Sequence, residues 1–153
     1  MQKRQNKNKR KYAMTKNPVE IRHELPHGDS WFTIIPEILA SIQMDVDIFK
    51  EIWNSHPEER PLGIMFGKQL EFPRWHQTYG ETYKFAGMTS EAKSLNEHVY
   101  LEKIVKWVQK HSGKQYQQLL VNWYDNGGDY IGPHSDNEKQ LVKNSPIYSF
   151  SFG

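Results

Sequence analysis

The sequence contains no cysteine. That excludes disulfides and any thiolate zinc site, and it suits a reducing compartment. No apolar run approaches the ~20 residues that cross a bilayer, so no membrane partner is expected. The N-terminus has charge but lacks the apolar segment of a secretory signal. An intracellular, soluble chain of the nucleus or cytoplasm is expected. Acidic residues are missing from residues 1–16, where Lys3, Arg4, Lys7, Lys9, Arg10, Lys11 and Lys16 are concentrated. The net charge of +2 therefore leaves −5 on the remainder. Internal repeats are absent. Hydrophobic content is low at 37%, yet five Trp, eight Tyr and seven Phe supply large buried area to a chain of 153 residues. That length suits one domain and can bury a sizeable core.

Residues 1–17 read as a basic disordered arm. Such an arm either binds phosphates, serves nuclear import around Lys7 to Lys11, or is a solvated tail. Residues 18–30 look irregular, with Pro18, Pro26 and Gly28. Trp31-Phe32-Thr33-Ile34-Ile35 reads as a strand ended by Pro36. Val46, Phe49, Ile52 and Trp53 fall at helical spacing over residues 45–55, with Asp45 as a cap and His56-Pro57 as the stop. Gly63-Ile64-Met65-Phe66 and Gln69-Leu70-Glu71-Phe72 pair as a hairpin turning near Gly67-Lys68, which puts Phe66 at its tip. Over residues 73–87, Arg74, Trp75, His76, Tyr79, Tyr83, Lys84 and Phe85 interleave rings with bases. That pattern suits nucleic acid, because rings stack on bases and cations meet phosphates; an aromatic-rich surface loop is the plainer alternative. Residues 97–111 give the clearest helix, with Leu101, Ile104, Val105 and Val108 as its apolar stripe and Ser112-Gly113 as its end. It should pack on the sheet.

The chemistry concentrates after residue 118. Leu119 to Tyr124 form a β-prone run in which Asn122 and Tyr124 share a face. A turn at Asn126-Gly127-Gly128-Asp129 follows, where glycine permits positive φ. Beyond it stands His134-x-Asp136. If that segment is extended, both side chains share a face, and a hairpin brings them to the same pocket as Asn122 and Tyr124. A His and a carboxylate are two thirds of the facial triad that holds Fe(II) in non-haem oxygenases. The tripeptide alone is equally at home in a solvated loop.

Its neighbourhood narrows the choice. Asn122-x-Tyr124, Asp125-x-Gly127, Asp129-x-Ile131-Gly132, His134-x-Asp136, Glu138, Ser145-Pro146-Ile147 and the run Ser149 to Gly153 together resemble the AlkB family of Fe(II)/2-oxoglutarate dioxygenases. The likeness is greatest to its eukaryotic-type nucleic-acid demethylases. A second block agrees and keeps the family's order: Phe66-Gly67-Lys68, Pro73-Arg74, Gln77-Thr78-Tyr79-Gly80 and Thr82-Tyr83-x-Phe85-x-Gly87. The resemblance covers roughly residues 60–153.

The resemblance implies an α+β fold, a jelly-roll (double-stranded β-helix) core with flanking helices, over residues 18–153. It implies Fe(II) held by His134 and Asp136, and 2-oxoglutarate hydrogen-bonded by Asn122 and Tyr124. Substrate contacts would come from Phe66 as a wedge in the base stack, Arg74 on the strand, Tyr83 and Phe85 around the flipped base, and Glu138 lining its pocket. For Phe66 the plainer reading is a half-buried strand aromatic. The implied reaction is oxidative demethylation of an alkylated base in DNA or RNA. The family also has a second ligand His and a 2-oxoglutarate-binding Arg downstream of Gly153, together with its final strands. Residues 137–153 contain neither His nor Arg. The expectation is therefore a dioxygenase domain completed by a continuation of the gene or by a second chain. The alternative is a catalytically incomplete remnant that acts as a nucleic-acid-binding module.

Overall fold

The computed structural model describes residues 18–26, 30–36, 38, 42, 47–65, 67–85, 88–136 and 141–153. For Met65, Tyr83, Lys84, Phe85 and Met88 it describes the backbone alone. The basic arm over residues 1–17, the finger residue Phe66 and the pocket residue Glu138 lie outside the described residues. The chain divides into two compact units, Met1–Asp45 and Val46–Gly153.

In the first unit, β1 (Ile21–Glu24) and β2 (Trp31–Ile34) form an antiparallel hairpin with Ile21 opposite Ile34 and Glu24 opposite Trp31. The sequence reading left residues 21–24 irregular, so β1 is a correction. Its cause is cross-strand pairing that the Pro and Gly around it obscured. His23 stacks on Phe32 with ring centroids 4.8 Å apart, and Arg22 lies over the Trp31 ring at 4.3 Å. Such pairs are the unit of hairpin stability.

The second unit is built on a three-stranded sheet in the order β8–β5–β9. Its central strand is β5 (Trp75–Gly80), antiparallel to β9 (Gln118–Trp123) over six residue pairs from Trp75↔Trp123 to Gly80↔Gln118. The short β8 (Ala92–Lys93) runs parallel on the other side of β5. Opposed residues of an antiparallel pair share a face and neighbours alternate. One face therefore carries Trp75, Gln77, Tyr79 and Trp123. The other carries His76, Thr78 and Asn122.

The helices serve the first face. In α1 (Asp47–Trp53) the buried side chains are Ile48 and Ile52. Of the expected stripe, Ile52 is buried, but Phe49 is 43% exposed and Ile48 turns inward in its place. Trp123 donates its indole N–H to the Ile52 carbonyl at 2.8 Å in a buried setting. Trp53 meets Trp75 edge-on at 6.4 Å. In α2 (Val99–Ser112) Leu101, Ile104, Val105 and Val108 are buried as expected. Each such side chain contributes on the order of 1.5–3 kcal/mol relative to exposure. His98 caps the helix start by accepting from the Leu101 N–H, and Gly113 ends it in the left-handed region at φ 67°. A Cβ would cost energy in that conformation. Helix α2 lies against α1.

Two further hairpins complete the unit. β3 (Leu62–Met65) and β4 (Lys68–Glu71) pair antiparallel with Met65 opposite Lys68, and Gly67 lies in the turn. This matches the expected hairpin within one residue. β6 (Tyr83–Phe85) pairs with β7 (Met88–Ser90), Phe85 opposite Met88. Residues 141–153, expected to run into a strand, have no strand pairing. Half-buried Tyr148, Phe150 and Phe152 alternate there with exposed Ile147, Ser149 and Ser151, which is the pattern of an extended chain. Phe150 meets Trp107 of α2 edge-on at 6.1 Å, and Tyr148 meets Tyr116 at 5.6 Å. No helix among the described residues is long and apolar enough to cross a membrane.

Gly80 tests the β5–β9 junction. Its φ is +88°, and a Cβ there would stand 2.1 Å from the Gln117 carbonyl oxygen, which accepts from the Glu81 N–H at 3.0 Å. Gly67 has a similar φ of +73° but open space around its would-be Cβ. Gly67→Ala should cost only the backbone penalty, on the order of 1–3 kcal/mol. Gly80→Ala should cost clearly more, because the Gln117 backbone must also move. Urea unfolding of the two variants checks the order; equal losses would contradict it.

Candidate metal centre and co-substrate face

The face of the sheet turned away from α1 gathers polar groups. Arg74 precedes β5, is only 7% exposed, and donates from Nε to the Asn122 Oδ1 at 3.0 Å. Its guanidinium carbon lies 5.3 Å from the Phe72 ring centroid. Burial lowers the Arg74 pKa, and the neighbouring Tyr124 phenol opposes that shift. His76, opposite Asn122 in register, is also 7% exposed. Loss of hydration lowers its pKa to about 4, with the Arg74 charge adding to the effect. The imidazole is therefore neutral near pH 7. Thr78, fully buried on the same face, donates to the Ser90 hydroxyl at 2.8 Å and ties the β6–β7 hairpin to the sheet.

The polypeptide leaves β9 into a tight loop. The Asp129 N–H donates to the Asn126 carbonyl at 3.0 Å, and the Gly128 N–H donates to the Asn126 Oδ1 at 2.8 Å. Asn126 thus closes the turn with its side chain, as Asn does in Asx turns. Gly127 and Gly128 keep negative φ, contrary to expectation. Beyond the turn no second strand pairs with β9 among the described residues, so the expected hairpin is not formed. Its place is taken by side-chain anchors. Asp129 receives both arms of the Arg60 guanidinium, each at 2.8 Å, and the Asp125 N–H at 2.8 Å. These bonds lower its pKa, the Asp125 N–H contributing most. The Tyr130 N–H then donates to the Pro73 carbonyl at 3.1 Å.

His134 and Asp136 meet at the end of this run. The His134 Nε2 is 3.3 Å from the Asp136 Oδ1, and both side chains are nearly half exposed at 48% and 43%. The His134 Nδ1 lies 2.9 Å from the Gly132 carbonyl. A carbonyl only accepts, so Nδ1 is the donor there and Nε2 is the ring nitrogen turned to the carboxylate oxygen. When the ring is neutral, Nε2 has a lone pair that can share a cation with that carboxylate. Cis ligands with bonds of ~2.1 Å stand about 3 Å apart, close to the observed separation. The backbone carbonyl on the far ring nitrogen is the usual second partner of a metal-binding His. The pair fits two thirds of an Fe(II) triad. Among the described residues no group of three His, Cys, Asp or Glu side chains converges.

Of the residues singled out in the sequence, Asn122, Tyr124 and Arg74 are brought together. Arg74 was read as a contact to the nucleic-acid strand; its Nε is turned to Asn122. Tyr83 and Phe85 sit on β6, whose backbone alone is described. Sequence reasoning missed Arg60 altogether. It noted Asp129 within a motif but gave it no role, and no local signal links two residues 69 positions apart.

A sequence model of the 2OG-Fe(II) oxygenase superfamily matches residues 32–153. The chain belongs to this superfamily. Its relatives put it in the AlkB family. It is 40% identical to the human (Homo sapiens) DNA oxidative demethylase ALKBH2 over 92 residues, which are 58% of this chain and 34% of that protein. The mouse (Mus musculus) protein of the same name matches over 92 residues at 40% identity, covering 38% of its length. Bovine (Bos taurus) alpha-ketoglutarate-dependent dioxygenase alkB homolog 3 is 28% identical over 129 residues, 84% of this chain and 44% of that protein. The chain thus spans about a third of the length of the first of these relatives. The chain carries an imidazole–carboxylate pair and, on one sheet face, a cluster of Arg74, His76 and Asn122.

Buried His76 gives this face a pH signature. Its folded pKa lies below the ordinary 6.5, so between pH 6.5 and about 4 the unfolded chain binds the proton and the folded chain does not. The stabilisation is complete above pH 6.5 and is lost as pH falls toward 4. Urea unfolding across this window should show a slope that is smaller in His76→Gln. Identical slopes would show that His76 is not held neutral.

Proposed function

We propose that this chain is part of an AlkB-type dioxygenase that removes alkyl groups from nucleic-acid bases by oxidation. The observation that carries the reading is the convergence of His134 and Asp136, with Nδ1 fixed by Gly132 so that Nε2 faces the carboxylate. Membership of the superfamily supports a double-stranded β-helix core, Fe(II) as the metal and 2-oxoglutarate as the co-substrate.

His134 and Asp136 supply two ligands. When bound, Fe(II) with 2-oxoglutarate and O₂ supplies the oxidising power that hydroxylates an N-alkyl carbon, after which the carbon leaves as an aldehyde. Asn122 hydrogen-bonds the co-substrate. Because its Oδ1 accepts from Arg74, its amide N–H₂ is left free to donate to a carboxylate. Tyr124 adds a phenol beside it. Arg74 orients Asn122 and remains a candidate contact to the substrate strand. Phe66 enters the base stack, Tyr83 and Phe85 hold the flipped base, and Glu138 lines its pocket. The β6–β7 hairpin that carries two of these is joined to the same sheet face through Thr78 and Ser90. Among the described residues no third His, Cys, Asp or Glu side chain joins the pair. Nucleic acid is the partner, with DNA the first substrate to test given the name of the human relative. The nucleus or cytoplasm is the site of action.

The test is succinate release from 2-oxoglutarate with Fe(II) and ascorbate, with and without an oligonucleotide bearing 1-methyladenine. It is run on residues 1–153 and on the chain extended by its downstream coding sequence. Oligonucleotide-stimulated turnover that disappears in His134→Ala, with circular dichroism unchanged, is the expected result. Folded proteins that release no succinate in either form would contradict the proposal and leave a binding module.

A further inference from the structure

Asp129 belongs to the Asp129-x-Ile131-Gly132 motif, and neither metal binding nor co-substrate binding uses it. Its side chain is 6% exposed, while that of Arg60 is 20% exposed. Both guanidinium arms reach it at 2.8 Å, and the guanidinium carbon lies 4.3 Å from the centroid of the Trp75 ring. Trp75 is the first residue of β5 and pairs with Trp123, the last residue of β9. Arg60 thus stands on the strand end from which the 125–136 segment departs. Asp129 also takes the Asp125 N–H, and the next residue, Tyr130, donates to the Pro73 carbonyl. Residues 125 and 129–130 are therefore pinned to the sheet end. The run from 131 to 136 is exposed and has no strand partner. Within it, His134 bonds the Gly132 carbonyl and meets Asp136, both contacts internal to the run.

We infer that Arg60 and Asp129 form a clamp that positions the His134–Asp136 pair without touching it. The planar guanidinium fixes the carboxylate at two points and lies over the Trp75 ring. A lysine ammonium cannot hold a carboxylate in that bidentate geometry. The clamp sets the direction in which residues 131–136 leave the sheet, and so where both donors are held. The consequence for metal affinity rests on the functional reading above; the consequence for backbone order does not.

The test uses residues 1–153, Mn(II) alone as the probe, and Arg60→Gln, Arg60→Lys and Asp129→Asn. Two quantities are read. One is paramagnetic broadening of the His134 ring proton during Mn(II) titration. The other is amide hydrogen exchange in residues 125–136, with α2 as the internal control for folding. In Arg60→Gln and Asp129→Asn the apparent Mn(II) affinity should fall about tenfold, as when an outer partner of a metal ligand is lost. Exchange over 125–136 should quicken while α2 stays protected. Arg60→Lys should restore neither and guards against a variant that fails to fold. Wild-type affinity in the variants, or unchanged exchange over 125–136, overturns the clamp. If the wild-type ring proton does not respond to Mn(II), the metal reading fails, and exchange alone decides the clamp.

Discussion

The six-residue pairing of β5 with β9 is the constraint on which the second unit depends. It is long in sequence, joining residues 75–80 to 118–123, and α2 is spanned by the connection. Its register puts Trp75 opposite Trp123 at one end and Gly80 opposite Gln118 at the other. A slip of one residue would turn every side chain to the wrong face. Trp123 would leave the Ile52 carbonyl, and Asn122 would turn toward the helices. The buried indole bond and the close approach at Gly80 both hold the register, one from each end.

From that register follows a division of labour. One face is apolar and aromatic, and its loss of hydration drives packing onto α1 with α2 behind. The other holds a buried arginine, a buried neutral histidine and an asparagine in one cluster. Burying a cation is costly unless it is bonded, and Arg74 is bonded to the residue that would meet the co-substrate. A polar cluster of this kind is poor value for stability alone. Oriented donors of this kind are what the proposed co-substrate site would need, since donors must be in place before the ligand arrives.

Much of this could be read in the residues. The α2 stripe and its glycine stop were legible because helical spacing and a C-cap are local. The β3–β4 hairpin was legible for the same reason. His134 and Asp136 were found because two donors one residue apart carry a recognisable chemistry, and the motifs around them carried a family. What failed was non-local. The strand at 21–24 owes its existence to a partner ten residues on. In α1 Ile52 was placed correctly, but the inward place given to Phe49 belongs to Ile48; both are apolar, and spacing alone does not separate them. The turn at 126–129 looked like a glycine hairpin, yet an asparagine side chain closes it and an arginine 69 residues upstream holds it. Sequence spacing contains no sign of such a contact.

The central claim is that His134 and Asp136 are ligands of one metal ion. Anomalous diffraction from crystals soaked in Mn(II) tests it most directly. The account predicts a peak within bonding distance of both the His134 Nε2 and the Asp136 carboxylate, absent from His134→Ala crystals. A saturating soak that leaves this pair without a peak, or puts the metal elsewhere, would contradict it.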